Sequence, residues 1–144
     1  MSTLRQIRQA LVERIQTAET GLHVYETPPA DGAGNEFPCV MLRAFAGNFT
    51  TTFGGSATGF PMDGEMIATV LVRVEEPDEA WQKLEEYLSP SAAKSIAVAV
   101  NTDQSLGLDD VAAAVIGFRN ASIRTELGPG IHGADIIIRL IKGS

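Results

Sequence analysis

Cysteine is nearly absent from this sequence of 144 residues, in which Cys39 is the single example. A lone cysteine excludes an intrachain disulfide and any metal site that needs several cysteines from one chain. It is also compatible with folding in a reducing compartment. No apolar run is long enough to span a membrane, and the amino-terminal residues lack the apolar core of a signal peptide. We therefore expect a soluble chain that is made in the cytoplasm.

Basic residues are also few: the sequence has 11 Lys and Arg against 18 Asp and Glu, which gives a formal net charge of −7. A chain this acidic is a poor candidate for gripping nucleic acid, because phosphate binding needs clustered positive charge. It could still surround DNA without binding it. The length and the 44% share of hydrophobic residues predict one folded domain over residues 1–144.

Residues of the kind that perform catalysis are sparse as well, and His23 and His132 are the only histidines. No constellation of nucleophile, base and oxyanion stabiliser emerges, and we predict no catalytic, cofactor-binding or metal site. The stretch GPGIHG matches the dinucleotide fingerprint G-x-G-x-x-G, but a strand follows it, so a hairpin turn is the favoured interpretation. A small acidic enzyme with a site at His132 and Asp135 stays open as an alternative.

Three helices are predicted from hydrophobic periodicity and capping residues. The stretch TLRQIRQALVERIQTAETG has Thr3 and Gln6 at capping-box spacing, and Gly21 is a plausible stop. The residues of this first helix expected to pack on a sheet are Leu4, Ile7, Leu11 and Ile15. A second helix over EPDEAWQKLEEYLSP has its buried stripe at Trp81, Leu84 and Leu88. The stretch SAAKSIAVAVNTD predicts a third, short helix capped by Ser91, although its alternation also permits a strand.

Strands are predicted at LHVYE, CVMLRAFAG, EMIATVLVRVEE, AAVIGFRNASIRTE and IHGADIIIRLIKG. In the second of these, Val40, Leu42, Ala44 and Ala46 alternate onto one face. Because strands and helices do not alternate one for one, a doubly wound parallel sheet is unfavourable. The prediction is an α+β fold: a mostly antiparallel sheet of four to five strands, two or three helices packed on one face, and a long projecting β-hairpin loop.

The loop GNFTTTFGGSATGFPMDGE, residues 47–65, contains no Lys or Arg to meet the charge of a phosphate, so a Walker-type loop is excluded. Its threonines and phenylalanines favour extended structure. Phe49, Phe53 and Phe60 are costly to leave in water, and each needs a partner. We expect two extended arms of a hairpin whose apolar residues become buried on association. Folding of the three rings back onto their own domain is the alternative.

The chain resembles the tail terminator proteins of long-tailed bacteriophages, including the lambda-type terminator. The resemblance covers nearly the whole chain and lies in the order of its elements. These are the helix TLRQIRQALVERIQ, the segment HVYETPPADG, the strand FPCVMLRAF, the long Gly/Thr/Phe loop, the strand IATVLVRV, the helix DEAWQKLEEYL and the closing pair ASIRTE and GADIIIRLI.

This resemblance implies a virion protein, assembled in the host cytoplasm, that forms a homohexameric ring without cofactors. The ring would cap the tail tube, stop its polymerisation and meet the head-side connector or stopper protein, while DNA passes through without specific binding. The residues expected at the subunit or tube interface are Arg43, Phe49, Thr51, Phe53, Phe60 and Arg73. Another phage neck component, such as a head-completion or stopper protein, is the alternative.

Overall fold

A computed structural model describes residues 3–26, 36–49 and 61–143. The elements in chain order are α1 (Leu4–Gln16), β1 (His23–Tyr25), β2 (Cys39–Phe49), β3 (Met62–Arg73), α2 (Pro77–Leu88), α3 (Ile96–Asn101), β4 (Val111–Ile123), a short 3₁₀ turn (Thr125–Leu127) and β5 (Ile131–Lys142). None of the helices within these ranges has both the length and the apolar character needed to cross a membrane.

The strands form one five-stranded sheet in the order β1-β2-β3-β5-β4. β1 runs parallel to β2, and the other neighbours are antiparallel. The predicted α+β class and mostly antiparallel sheet are therefore confirmed, with a single parallel pair that makes the sheet mixed. That pair arises because β1 and β2 are joined by a segment long enough to cross over rather than by a tight turn.

The main core lies between the helices and one face of the sheet. Even-numbered residues of β3 and β5 point to this face, which we call the helix side, and the odd-numbered ones point to the opposite, bare face. The helical residues that fill the core are Ile7, Ala10, Leu11, Ile15, Leu84, Tyr87, Ile96 and Val100. The predicted face of Ile136, Ile138 and Leu140 is buried among them.

The first helix begins as predicted but is shorter. The Thr3 hydroxyl accepts a hydrogen bond from the Gln6 backbone N–H (3.1 Å), and the Thr3 backbone N–H donates to Gln6 Oε1 (2.8 Å), which completes the capping box. Two predictions are wrong. Leu4 is 48% exposed, because the first turn of α1 lies outside the packed core. The helix ends at Gln16 and not at Gly21.

The second and third helices need smaller corrections. Leu84 of α2 is buried as predicted, but Trp81 and Leu88 are only partly buried, since the end of the sheet beside β4 leaves one flank of α2 uncovered. α3 is capped by Ser95 and not by Ser91: the Ser95 hydroxyl accepts a hydrogen bond from the backbone N–H of Val98 (3.1 Å). Ser95 is the N-cap residue because its side chain reaches a helical N–H that has no partner within the helix.

The first three residues of the stretch GPGIHG lie in the turn between β4 and β5, as the hairpin interpretation predicts. Gly128 and Gly130 have φ angles of 138° and 73°, conformations that residues with a Cβ rarely adopt. β5 begins at Ile131, directly after these glycines, and contains the rest of the stretch. Gly128 and Gly130 therefore serve chain reversal.

Cys39 is completely buried on the bare face of the sheet, in a small cluster with Met41, Leu71 and Ile131. Burial raises the pKa of the Cys39 thiol to about 11, because the thiolate would lose its hydration. The thiolate is the nucleophile in alkylation and disulfide exchange. The predicted packed, inert thiol is consistent with this position.

We predict that Cys39 of the native protein does not react with an aromatic disulfide reagent at pH 8, and that it reacts fully in denaturant. The measurement is the absorbance of the released thiolate over time. The variant Ile141→Cys provides the control, because Ile141 is 49% exposed on β5 and should add one rapidly reacting thiol. Rapid stoichiometric labelling of the unsubstituted native chain would contradict the buried position.

Candidate functional site: the outer edge of the hairpin

β2 and β3 form a long antiparallel hairpin that extends into the predicted loop. Pairing runs from Cys39 opposite Leu71 to Phe49 opposite Met62. The predicted loop over residues 47–65 is therefore shorter at both ends, since cross-strand hydrogen bonds organise its flanks. The expected interface residues Thr51, Phe53 and Phe60 lie in 50–60, outside the described residues.

A β-bulge at Arg43 changes which side chains of β2 face the helices. The register shifts between Leu42 and Ala44, so that Arg43 has no partner of its own on β3. After the bulge, Phe45 pairs with Met66 and packs against the main core, while Ala44 is exposed. The predicted alternation of Val40, Leu42, Ala44 and Ala46 onto one face is wrong for this reason.

The outer edge of β2 is unpaired over most of its length. β1 covers only Cys39–Met41, and within the described residues no strand pairs with the outer side of 44–49. Phe49 lies at the end of this edge and is 65% exposed. It pairs with Met62, whose side chain is buried, so Phe49 projects on the helix side of the sheet.

Arg43 adjoins a polar cluster on the bare face that is centred on Asp135. Thr69 Oγ1 donates to Asp135 Oδ1 (2.8 Å), Asn120 Nδ2 donates to Oδ2 (3.2 Å), and an Arg124 Nη lies 3.8 Å from Oδ1. Burial by itself would raise the pKa of Asp135. The hydrogen bonds from Thr69 and Asn120 and the charges of Arg124 and Arg43 outweigh burial, so the pKa is lowered.

His132 and Asp135 do not come together. They lie three residues apart in β5 and therefore point to opposite faces of the sheet. His132 is buried on the helix side, where its ring meets Trp81 edge to face at 5.5 Å between centroids. Within the described residues, neither of its ring nitrogens has a hydrogen-bond partner. One site built from this histidine and this carboxylate is not formed.

The bare face is basic although the chain is acidic. Its charged residues on and next to β2–β5 are five arginines and three carboxylates: Arg43, Arg73, Arg119, Arg124, Arg139, Asp63, Glu65 and Asp135. Arg73 is exposed at the end of β3, and in the described part of the chain it forms no ion pair. The acidic residues are concentrated elsewhere, notably on α2.

Sequence patterns did not identify Thr69, Asn120 and Arg124 as a group. They come from β3, β4 and the residue after β4, and only the sheet register brings them to one carboxylate. Asn120 has a positive φ of 57°, which asparagine tolerates better than most residues. Among the described residues, no group of three His, Cys, Asp or Glu side chains could hold a metal ion.

No protein-family profile matches the sequence, and no curated protein matches it significantly.

Asp135→Asn should lower the free energy of unfolding at pH 7 by about 1–2 kcal/mol, the range for losing charge-assisted hydrogen bonds in a partly buried site. Because the folded-state pKa of Asp135 is lowered, its contribution is complete above the usual pKa of an aspartate and is lost as the pH falls below it. The difference between wild type and variant should therefore shrink in acid. Urea unfolding at pH 7 and at pH 3 measures it.

Asp63→Asn is the matched control for this prediction. Asp63 pairs with Arg139 at 3.0 Å, but both side chains are more than half exposed, so solvent screens the pair. We expect a much smaller loss of stability than for Asp135→Asn. Equal losses in the two variants would show that the cluster around Asp135 has no special stabilising role.

Proposed function

We propose that this chain is a structural protein that assembles into a homohexameric ring, caps a phage tail tube and ends its polymerisation. The observation that supports this best is the outer edge of β2 from Ala44 to Phe49, with which no strand of the described residues pairs. The resemblance to tail terminator proteins supplies the number six and the identity of the tube.

The composition of this edge favours a partner. Proteins in which an edge strand stays unpaired protect that strand with lysine, proline or a β-bulge. The stretch AFAGNF over residues 44–49 has no charge and no proline, and the bulge at Arg43 lies before it. Phe49 at its end has an exposed aromatic ring, and aromatic residues are enriched at protein interfaces.

A ring follows if the edge meets a different surface of the next copy. Such head-to-tail contacts form a closed ring when the rotation between neighbours closes and an open filament when it does not, whereas a surface that pairs with itself stops at a dimer. Each copy in a closed ring covers the edge of its neighbour, so no edge is left to aggregate. The ring's partners would be the tail tube protein on one side and the head-side connector or stopper protein on the other.

The charge of the assembly suits a passage for DNA. Six chains of −7 each give a formal charge of −42, and the acidic residues that line the channel would disfavour retention of DNA. Assembly in the host cytoplasm and a final place at the head–tail junction of the virion follow from the same proposal. Another neck component would share the ring and differ in the partner it joins.

The mass in solution is the first test. Six chains of 15.3 kDa give about 92 kDa, which light scattering separates from a monomer across a wide range of concentration. Negative-stain images of the same sample should contain six-membered rings. Addition of the protein to polymerising tail tubes should then stop their growth and leave tubes shorter than those grown without it. Tubes that grow unchanged in the presence of rings would exclude the capping function.

Phe49→Asp should abolish the ring and leave the fold intact, because Phe49 is 65% exposed in the isolated chain and a carboxylate cannot be buried at an interface without a partner. Circular dichroism checks the fold, and light scattering checks the mass. Leu127→Asp is the control: Leu127 is 46% exposed on the 3₁₀ turn, away from the hairpin edge. Rings that survive Phe49→Asp would remove Phe49 from the interface.

A further inference from the structure

An open apolar groove of about 380 Å³ lies at the opposite edge of the sheet, between α2, α3 and β4. Its main apolar lining residues are Tyr87, Leu88, Pro90, Val98, Ile116 and Phe118. Phe118 is 53% exposed and Ile116 is exposed to a similar degree. The groove continues past Leu88 and Phe118 to a second depression walled by Trp81 and Glu85. This is a substantial apolar surface for one small domain to leave in water.

The first half of β4 is closed to a neighbouring strand. Asn101 Oδ1 accepts from the backbone N–H of Val115 (2.8 Å), and Asn101 Nδ2 donates to its carbonyl (3.4 Å). The backbone N–H of Ala113 donates to the carbonyl of Gln104 (2.7 Å). α3 and the turn after it therefore occupy the outer backbone groups of this half. Within the described residues, no strand pairs with the outer side of residues 117–123, which adjoin the groove. The regular part of this stretch is 117–119, because the register shifts after Arg119 and the Asn120 carbonyl accepts from Ser122 Oγ and an Arg124 Nη.

We propose, on the basis of the proposed ring, that a second copy of this chain fills the groove: its β2 edge lies along residues 117–123 and its Phe49 enters between α2 and α3. Across the sheet, β2 and β4 are separated by three antiparallel steps, so they run in opposite directions. The β2 of a second copy in the same orientation is therefore antiparallel to β4.

The directions of the two segments and the faces of their aromatic residues match in this arrangement. Within the described residues, no strand pairs with the outer side of 44–49 in β2 or of 117–123 in β4, and the register of β4 shifts between Arg119 and Ser122. Antiparallel alignment places Phe49 at the end of the free stretch of β4 where Phe118 stands. Phe118 pairs with the core residue Ile136, so it lies on the helix side, as Phe49 does. Two joined sheets keep their faces in common, and both rings then project into the groove.

Charge favours this head-to-tail contact over a two-fold one. α1, whose Arg8 lines a pocket with Arg43 and Phe45 beside the β2 edge, has a net charge of +2 from Arg5, Arg8, Glu13 and Arg14. α2, which forms one wall of the groove, has a net charge of −3 from Asp78, Glu79, Lys83, Glu85 and Glu86. A contact between the groove of one copy and the β2 edge of the next brings opposite charges together. A contact between the grooves of two copies brings two acidic helices together, which is unfavourable.

Site-specific photocrosslinking tests the contact directly. The variant Phe118→p-benzoylphenylalanine keeps an aromatic side chain at the groove and forms a covalent bond to whatever lies there on irradiation. We expect an intermolecular product whose crosslinked peptide, identified by mass spectrometry, contains residues 44–49. A product within residues 116–123 of a second copy would overturn the proposal in favour of two facing grooves. Rings seen without any intermolecular product at position 118 would overturn it while leaving the proposed ring intact.

Phe118→Asp should raise the concentration at which the ring half-dissociates by about tenfold or more, the effect expected for an anchoring aromatic. Ile141→Asp is the matched control, because Ile141 is a strand residue of similar exposure, 49%, on the bare face. It should shift the midpoint by less than about twofold. Sedimentation over a dilution series measures both, with circular dichroism as the check on folding. Equal shifts in the two variants would overturn the proposal.

Discussion

The unbroken antiparallel pairing of β3 with β5 is the constraint on which the rest of the structure depends. It runs from Met62 opposite Lys142 to Arg73 opposite Ile131 without a shift of register. Because side chains alternate along both strands, this pairing fixes which face of the sheet the helices cover. At Gly133 a Cβ would lie 2.5 Å from a methyl carbon of Leu71, so close packing on the bare face depends on a residue without a side chain.

The outer strands depart from this regular pair through bulges, and the bulges mark the limit of prediction from the sequence. The alternation of β5 and the amphipathic pattern of α1 are visible in the sequence because both elements are regular and half buried. The faces of β2 beyond Leu42 were predicted wrongly because one extra residue at Arg43 inverts the alternation. β4 contains two such shifts, and no local residue preference announces any of them.

The candidate interface was predictable to a similar degree. Phe49 stands out in the sequence because an aromatic ring in a polar, glycine-rich stretch needs a partner. The groove does not stand out in the sequence, because Leu88, Val98 and Phe118 come from three different elements. Each of these residues alone has an ordinary place in an amphipathic pattern. The basic bare face was hidden for a related reason, because a net charge averages over both faces of the sheet.

The two edges of the sheet differ in the groups that lack a partner: one edge has mainly strand backbone, and the other has mainly apolar surface. A contact between unlike edges therefore joins the copies head to tail. At the β2 end, no strand of the described residues pairs with the outer side of the uncharged stretch 44–49, and the ring of Phe49 is exposed. At the β4 end, α3 already satisfies half of the strand, and the remaining surface is mainly an apolar groove beside an acidic helix. Two facing grooves would bring two acidic helices together, so the groove is a poor partner for itself. In the proposed assembly both ends are covered by repeating head to tail, and a closed ring is the assembly in which no copy keeps a free end.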